Sequence, residues 1–171
     1  ICKGGYSQGI YTGNGGGPCT TCDVGTWCSA GAVFQCATTV DILSTSLAGS
    51  DSTHDCTCKP GSSGPNGAVG GSCSSCTAGF YCPGGTESIL CPVDSSSVIG
   101  SSVVEHCICD GGYEGDAGGP CTLCREGTFC SGGDLDLCPL NSYSATGSSV
   151  NTSCICSAGY VGVNGGYCNI C

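Results

Sequence analysis

The chain has 171 residues, of which 21 are Cys and 32 are Gly, and a formal net charge of -10 with only Lys3, Lys59 and Arg125 as basic side chains. That balance excludes nucleic acid and anionic membrane surfaces as partners, since both need basic patches. Cysteine at about one residue in eight exceeds the share that marks a disulfide scaffold. Large apolar residues are too sparse for one sizeable core, so covalent staples and an extracellular or cell-surface location are expected.

The first segment, Cys2 to Cys22, reads CKGGYSQGIYTGNGGGPCTTC, and its pattern returns from Cys58, from Cys109 (CDGGYEGDAGGPCTLC) and from Cys156 (CSAGYVGVNGGYCNIC). Self-similarity at this period is the mark of a repeat architecture. Ile1-Cys2 aligns with Ile108-Cys109 and Ile155-Cys156. The chain is therefore expected to begin inside a Cys-x-Cys pair and to be a piece of a longer array. It contains no signal peptide and no apolar run long enough to span a bilayer, so no membrane insertion by this segment is expected. A targeting segment is expected outside it.

Along each copy no helical apolar period is sustained, which predicts almost no helix and a fold of short β-hairpins and loops. Asn14-Gly15, Asn66-Gly67 and Asn164-Gly165 fall in the last loop of a copy, where Asn-Gly predicts a two-residue hairpin turn. Asp116-Ala117-Gly118-Gly119 stands at that place in the remaining copy. Trp27, Tyr81 and Phe129 each precede a cysteine, and Tyr6, Tyr113 and Tyr160 each stand four residues after one. Ser62 replaces the tyrosine in the copy from Cys58. The pairs Thr20-Thr21, Ser74-Ser75, Thr122-Leu123 and Asn169-Ile170 read as two-residue linkers between units. Linkers this short predict a stiff rod whose stability sums over modules and their neighbours.

Taken from Cys124, the cysteines run Cys124, Cys130, Cys138, Cys154, Cys156 and Cys168, with one residue between the fourth and fifth and Gly159-Tyr160-Val161-Gly162 in the last loop. This order resembles the EGF-like module, and in particular the ephrin-receptor-like cysteine-rich repeat of large surface proteins of algae and protists. The resemblance covers nearly the whole chain. Six cysteines alone allow 15 pairings; the resemblance implies first-to-third, second-to-fourth and fifth-to-sixth. Carried over, that gives Cys2–Cys19 in the leading fragment and Cys22–Cys36, Cys28–Cys56 and Cys58–Cys73 in the next unit. Cys76–Cys91, Cys82–Cys107 and Cys109–Cys121 follow, then Cys124–Cys138, Cys130–Cys154 and Cys156–Cys168. Cys171 is left over as the opening cysteine of a further unit. The implied domains are the C-terminal part of a module at 1–19, modules at 22–73, 76–121 and 124–168, and the start of another at 169–171. In EGF-like arrays Tyr6, Tyr113 and Tyr160 would pack at module junctions.

Chemistry is thin. Calcium-binding modules carry oxygen ligands ahead of the first cysteine, and here those positions hold the neutral pairs above. Cys-x-x-Cys at Cys19/Cys22, Cys73/Cys76, Cys121/Cys124 and Cys168/Cys171 could suggest zinc, but the disulfide frame uses all of those cysteines except Cys171. Ser52-Thr53-His54-Asp55 holds three triad residue types without the geometry a triad requires, and His106 sits beside Cys107. No enzyme activity and no cofactor are expected. Asn151-Thr152-Ser153 fits the N-glycosylation acceptor pattern. It lies in a Ser/Thr-rich loop related to 43–54 and 95–104, and dense hydroxyls in exposed loops would suit O-glycans as well.

The expected function is a structural segment of an extracellular filament or cell-surface coat, with other copies of the same protein or neighbouring filament subunits as partners. Mastigoneme (flagellar-hair) proteins offer the comparison, by family analogy. The alternatives are a ligand-binding or adhesion ectodomain of a membrane-anchored receptor, or a variable surface antigen.

Overall fold

The computed structural model describes residues 1–8, 17–37, 42–65 and 73–171. Two of the Asn-Gly turns, Asn14-Gly15 and Asn66-Gly67, lie outside these residues. The fold is a small disulfide-rich one. Among the described residues the regular elements are two-stranded sheets and three single-turn 3-10 helices at Thr53–Asp55, Val104–His106 and Asn151–Ser153.

The strands pair in sequence. Tyr6–Gln8 pairs with Cys19–Thr21, Thr26–Ser29 with Ala32–Gln35, Ser44–Thr45 with Thr57–Cys58 and Ser62–Ser63 with Ser74–Ser75. The next copy repeats the order with Phe80–Gly84 and Glu87–Leu90, Ser95–Ser96 and Ile108–Cys109, and Tyr113–Glu114 and Thr122–Leu123. Thr128–Ser131 with Asp134–Leu137, Ser142–Tyr143 with Ile155–Cys156, and Tyr160–Val161 with Asn169–Ile170 complete the series. The residues read as linkers are thus the closing strands of hairpins. They are short because a strand pair of two residues needs no more.

One local rule generates this series. After the cysteine that opens an element comes a tight turn whose third residue has positive φ, as at Gly5 (80°), Gly25 (82°), Asp94 (61°), Gly112 (91°) and Asn141 (63°). A backbone bond closes each turn, for example Thr26 N–H to the Asp23 carbonyl at 3.1 Å and Ser142 N–H to the Pro139 carbonyl at 3.1 Å. Positive φ at that position is the signature of a type II turn, filled by Gly or by Asn and Asp, which tolerate it. The carbonyl of the same residue then accepts from the residue that starts the following element. Cys22 N–H donates to Gly5 O at 3.0 Å, Asp110 N–H to Asp94 O at 2.8 Å and Cys138 N–H to Gly127 O at 3.0 Å. Each copy is therefore three successive hairpins built on one plan.

The disulfides follow the hairpins. Cys2–Cys19, Cys58–Cys73, Cys109–Cys121 and Cys156–Cys168 are joined as the resemblance implies. The other six pairs differ. Instead of Cys22–Cys36 and Cys28–Cys56, the structure joins Cys22–Cys28 and Cys36–Cys56. Instead of Cys76–Cys91 and Cys82–Cys107, it joins Cys76–Cys82 and Cys91–Cys107. Instead of Cys124–Cys138 and Cys130–Cys154, it joins Cys124–Cys130 and Cys138–Cys154. The physical reason is the turn: it folds the chain back within its own element. Cys124 and Cys130 end with their Cα atoms 5.9 Å apart, and Cys138 and Cys154 5.6 Å apart, within reach of a disulfide. Each bonded cysteine takes its neighbour in the sequence. The interlocked order of an EGF module is absent.

The turn chemistry also sits elsewhere than expected. Paired residues with both φ positive stand instead at Ala30-Gly31 (52° and 88°), Gly84-Gly85 (113° and 69°) and Gly132-Gly133 (64° and 93°), the first and last joining Ser29 to Ala32 and Ser131 to Asp134. Asn164-Gly165 forms instead a turn closed by Gly166 N–H to Val163 O at 2.9 Å, with positive φ at Gly165 alone. Gly118 plays that part in the copy that has Asp116-Ala117-Gly118-Gly119, where Gly119 N–H reaches Asp116 O at 2.9 Å. The strands there run only to Val161 and resume at Asn169, too far apart for a two-residue turn to close them.

Ala30 carries the Cβ strain of the left-handed region that Gly132 avoids. Ala30→Gly is expected to stabilise its hairpin by about 1 kcal/mol, and Gly132→Ala to destabilise its own by a similar amount. Hydrogen exchange of the two hairpins in the two variants checks both signs.

The chain divides into two compact units, one of Ile1–Thr77, Tyr81–Ile89 and Ile99–Val103, the other of Ala78–Phe80, Leu90–Val98 and Val104–Cys171. The division runs through the 76–121 segment. Inside the first unit, Gly5 N–H bonds Cys28 O, Gly49 N–H bonds Cys22 O and Cys28 N–H bonds Ser50 O, at 2.9–3.0 Å. Inside the second, Gly112 N–H bonds Cys130 O, Gly147 N–H bonds Cys124 O and Cys130 N–H bonds Ser148 O, at 2.8–3.0 Å. The same cross-links recur because the same hairpins recur.

Candidate functional site

The interior is made of half-cystines and hydroxyls. Among the described residues, the buried apolar side chains are all cysteines, and Thr26, Ser44, Ser46, Ser50, Ser62, Ser97, Ser101, Thr128 and Ser144 are buried with them. A buried hydroxyl is costly unless it is bonded, and most of these find carbonyls. Ser46, Ser97 and Ser144 donate to the carbonyls of Thr26, Phe80 and Thr128 at 2.8, 2.7 and 2.6 Å. Thr26 and Thr128 donate in turn to Asp23 O and Arg125 O, each at 2.7 Å. Ser50 closes on Leu47 O at 2.8 Å and Ser62 on Lys59 O at 2.6 Å.

The Ser-rich stretches, read as exposed loops, are therefore partly interior, while Ser96, Thr146 and Thr152 in them stay exposed. Ser44, Ser46, Ser50, Ser97, Ser101 and Ser144 face inward. The signal is present in the sequence. Ser44-x-Ser46-x-x-Gly49-Ser50, Ser95-x-Ser97-x-x-Gly100-Ser101 and Ser142-x-Ser144-x-x-Gly147-Ser148 share one pattern. Composition hides it, because serine is common throughout.

The aromatics split into two sets. Tyr6, Tyr113 and Tyr160 are half-buried and stand opposite Thr21, Leu123 and Ile170 across their hairpins. The strands that carry Tyr6 and Tyr113 also abut the following hairpin, with Gln8 N–H to Gly31 O at 3.0 Å and Gly115 N–H to Gly133 O at 3.1 Å. Lys3 places its ammonium 5.6 Å from the centre of the Tyr6 ring, a cation–π contact. Trp27 stacks on Phe34 with ring centres 4.3 Å apart and an angle of 16°, and its Nε1 is buried without a partner among the described residues. Where Ser62 replaces the tyrosine, the hydroxyl is buried opposite Ser75.

The phenol of Tyr113 has a displaced titration. The Asp94 carboxylate raises its pKa above the usual phenol value, helped by partial desolvation, a hydrogen bond to Asp94 and the charge of Asp110. Asp110 itself accepts a bond from the Ser96 hydroxyl at 2.7 Å. Because the folded phenol keeps its proton to higher pH than the unfolded one, the native state binds more protons in that interval. Its contribution to stability is complete below the unfolded value of about 10 and is lost as pH rises through the folded one. Asp94→Asn is expected to bring the phenolate transition of Tyr113 down, read as the near-ultraviolet difference between that variant and its Tyr113→Phe derivative.

The residues considered for catalysis do not converge. His54 and His106 are exposed, each in a 3-10 turn. Asp55 accepts from the backbone N–H groups of Asp51 and Ser52 at 2.9 and 3.1 Å, so it caps its own turn. A surface recess lined by Val24, Thr45, Ser46, Leu47, Ser50, Asp55 and Thr57 has the hydroxyls of Ser46 and Ser50 already engaged with carbonyls. Among the described residues no group of three or more His, Cys, Asp or Glu side chains could hold a metal ion, and no helix is long and apolar enough to cross a membrane. Asn151 and Thr152 are exposed on the Asn151–Ser153 turn, and Cys171 is an exposed free thiol.

No family model matches the chain. Over 79 residues it is 37% identical to cysteine repeat modular protein A of Toxoplasma gondii. That stretch is 41% of this chain and 2% of the relative, so the chain spans a small fraction of the relative's length. The recurring hairpins, the ten disulfides and this likeness agree on one coarse identity: the chain is a segment of disulfide-bonded, cysteine-rich repeats.

Proposed function

We propose that this segment is a structural part of an extracellular filament or cell-surface coat, of the flagellar-hair kind, that works by contact with copies of itself and catalyses nothing. The carrying observation is a repeated apolar surface. The turn that leads into Ser95–Ser96 presents Val93 and the turn that leads into Ser142–Tyr143 presents Leu140, each 82% exposed, and Ile42, two residues before Ser44, is 68% exposed. Those turns are fixed by the backbone bonds of their hairpins, so apolar side chains recur at equivalent positions while serine and cystine fill the inside. Scattered exposed apolar residues need no explanation, but apolar residues held at equivalent sites supply a surface for a repeating contact.

An oxidising compartment suits the disulfides, and the acidic charge suits a partner that is not nucleic acid. Sedimentation of the secreted chain over a wide concentration range tests the reading. Association that weakens when Val93 and Leu140 are both changed to Ser supports it. A chain that stays monomeric at every concentration sinks it.

A further inference from the structure

We propose that Asn151 is a site of N-linked glycosylation, at a place where the fold leaves one acceptor asparagine open. The proposal rests on the extracellular reading, because the acceptor must meet the glycosylation machinery of the secretory route.

The chemistry asks for three things: an Asn-x-Ser/Thr sequence, an accessible amide, and a surrounding backbone that tolerates a bulky group. Asn151-Thr152-Ser153 supplies the first. The structure supplies the second: Asn151 and Thr152 are both exposed, and the Asn151 carboxamide makes no hydrogen bond among the described residues. Only its backbone is used, its carbonyl accepting Cys154 N–H at 2.9 Å to close the 3-10 turn. The third follows from position. Asn151 opens a turn whose fold is fixed by backbone bonds and by the Cys138–Cys154 disulfide at its end, so a sugar on the side chain displaces nothing.

The equivalent turns bear on the assignment. Thr53–Asp55 and Val104–His106 occupy the same place in the other copies and begin with Thr53 and Val104. The site is therefore an addition to one copy rather than a demand of the repeat. The turn does not need asparagine, since Thr53 and Val104 start it equally well. The contrast with Asn141 sharpens this: its carboxamide lies 3.5 Å from Cys168 O, and its backbone holds a positive φ, so that asparagine has a structural task. Asn151 has none.

The test is secretion of the full chain from cultured animal cells behind a cleavable leader, followed by intact-mass measurement before and after peptide N-glycosidase treatment. The expected result is a hexose-bearing species that the enzyme converts to the bare chain with aspartate at 151. Asn151→Gln and Ser153→Ala are each expected to abolish it. Asn151→Thr, which installs the residue found at the matching position 53, is expected to secrete equally well. A secreted, disulfide-complete chain of bare mass, or a glycan that survives in Asn151→Gln, overturns the assignment while leaving the extracellular reading intact. A chain that reaches the medium only with its cysteines reduced contradicts the reading itself.

Discussion

Replacing Cys138 and Cys154 together by serine is expected to lower the stability of the second compact unit by about 3 kcal/mol. The bond closes a loop with a sequence separation of 16, and a ring of that size removes roughly that much chain entropy from the unfolded state. Cys154 is fully buried as well, so the loss of its contacts adds to the effect. Replacing Cys124 and Cys130, whose separation is 6, is expected to cost less, about 2 kcal/mol on the same basis. Hydrogen exchange of the unit followed by mass spectrometry reads both.

The double replacement carries a second readout. With sequential pairing, removing Cys124 and Cys130 leaves every other bond intact, and Cys171 remains the one reactive thiol. With interlocked pairing it would strand Cys138 and Cys154. A thiol count after unfolding separates the two without any assumption about energies.

The second large effect is expected at Gly112. Its φ is +91°, and a Cβ there would lie 2.5 Å from the carbonyl oxygen of Gly147. Neither atom can give way cheaply: Gly147 is itself at φ +76°, and its N–H is tied to Cys124 O at 2.8 Å. Gly112→Ala is therefore expected to cost at least about 3 kcal/mol, combining backbone strain with a forced shift of the neighbouring hairpin. Gly127 is the control. It has a similar φ of +78° but nothing within 4 Å of the added Cβ, so Gly127→Ala should cost only about 1 kcal/mol. Comparable losses at the two positions would show that the close approach to Gly147 is not what holds these hairpins together. Gly61 repeats the arrangement in the first unit, where its Cβ would meet Gly100 O at 2.6 Å.

These two sites separate what is legible in the sequence from what is not. The repeat, the hairpin character and the near absence of helix are legible because cysteine spacing and turn residues are local properties. Connectivity is not. Cys124, Cys130, Cys138 and Cys154 have the same spacing whichever way they pair, and the choice is made by the type II turn that brings Cys130 back on Cys124. That turn is written in the sequence as Arg125-Glu126-Gly127-Thr128, and again as Asp23-Val24-Gly25-Thr26 and Pro139-Leu140-Asn141-Ser142. Its recurrence is obscured because Asn141 and Asp94 stand where other turns have Gly. The buried serines escape a reading by composition for a related reason. A hydroxyl can leave water only when a carbonyl waits for it, and Thr128 O is placed for Ser144 by a fold not visible from either residue alone.

The pairing also changes what kind of object the segment is. In an interlocked module several loops share one disulfide-bonded core, so one broken bond loosens the whole. Here each hairpin closes itself and is joined to its neighbours by backbone hydrogen bonds, so damage is expected to stay local. Such a build suits the proposed role of presenting the same surface repeatedly. It places Val93 and Leu140 on turns closed locally, by Ser95 N–H to Pro92 O at 3.2 Å and Ser142 N–H to Pro139 O at 3.1 Å.

The pairing itself is open to one direct measurement. Digestion of the non-reduced chain at acid pH, where disulfides do not exchange, would be followed by mass spectrometry of the linked peptides. Cys124 is expected to be recovered with Cys130, and Cys138 with Cys154, with the same order around Cys22–Cys28 and Cys36–Cys56. Recovery of Cys124 with Cys138 and of Cys130 with Cys154 would contradict the self-closed hairpin and restore the interlocked module in its place.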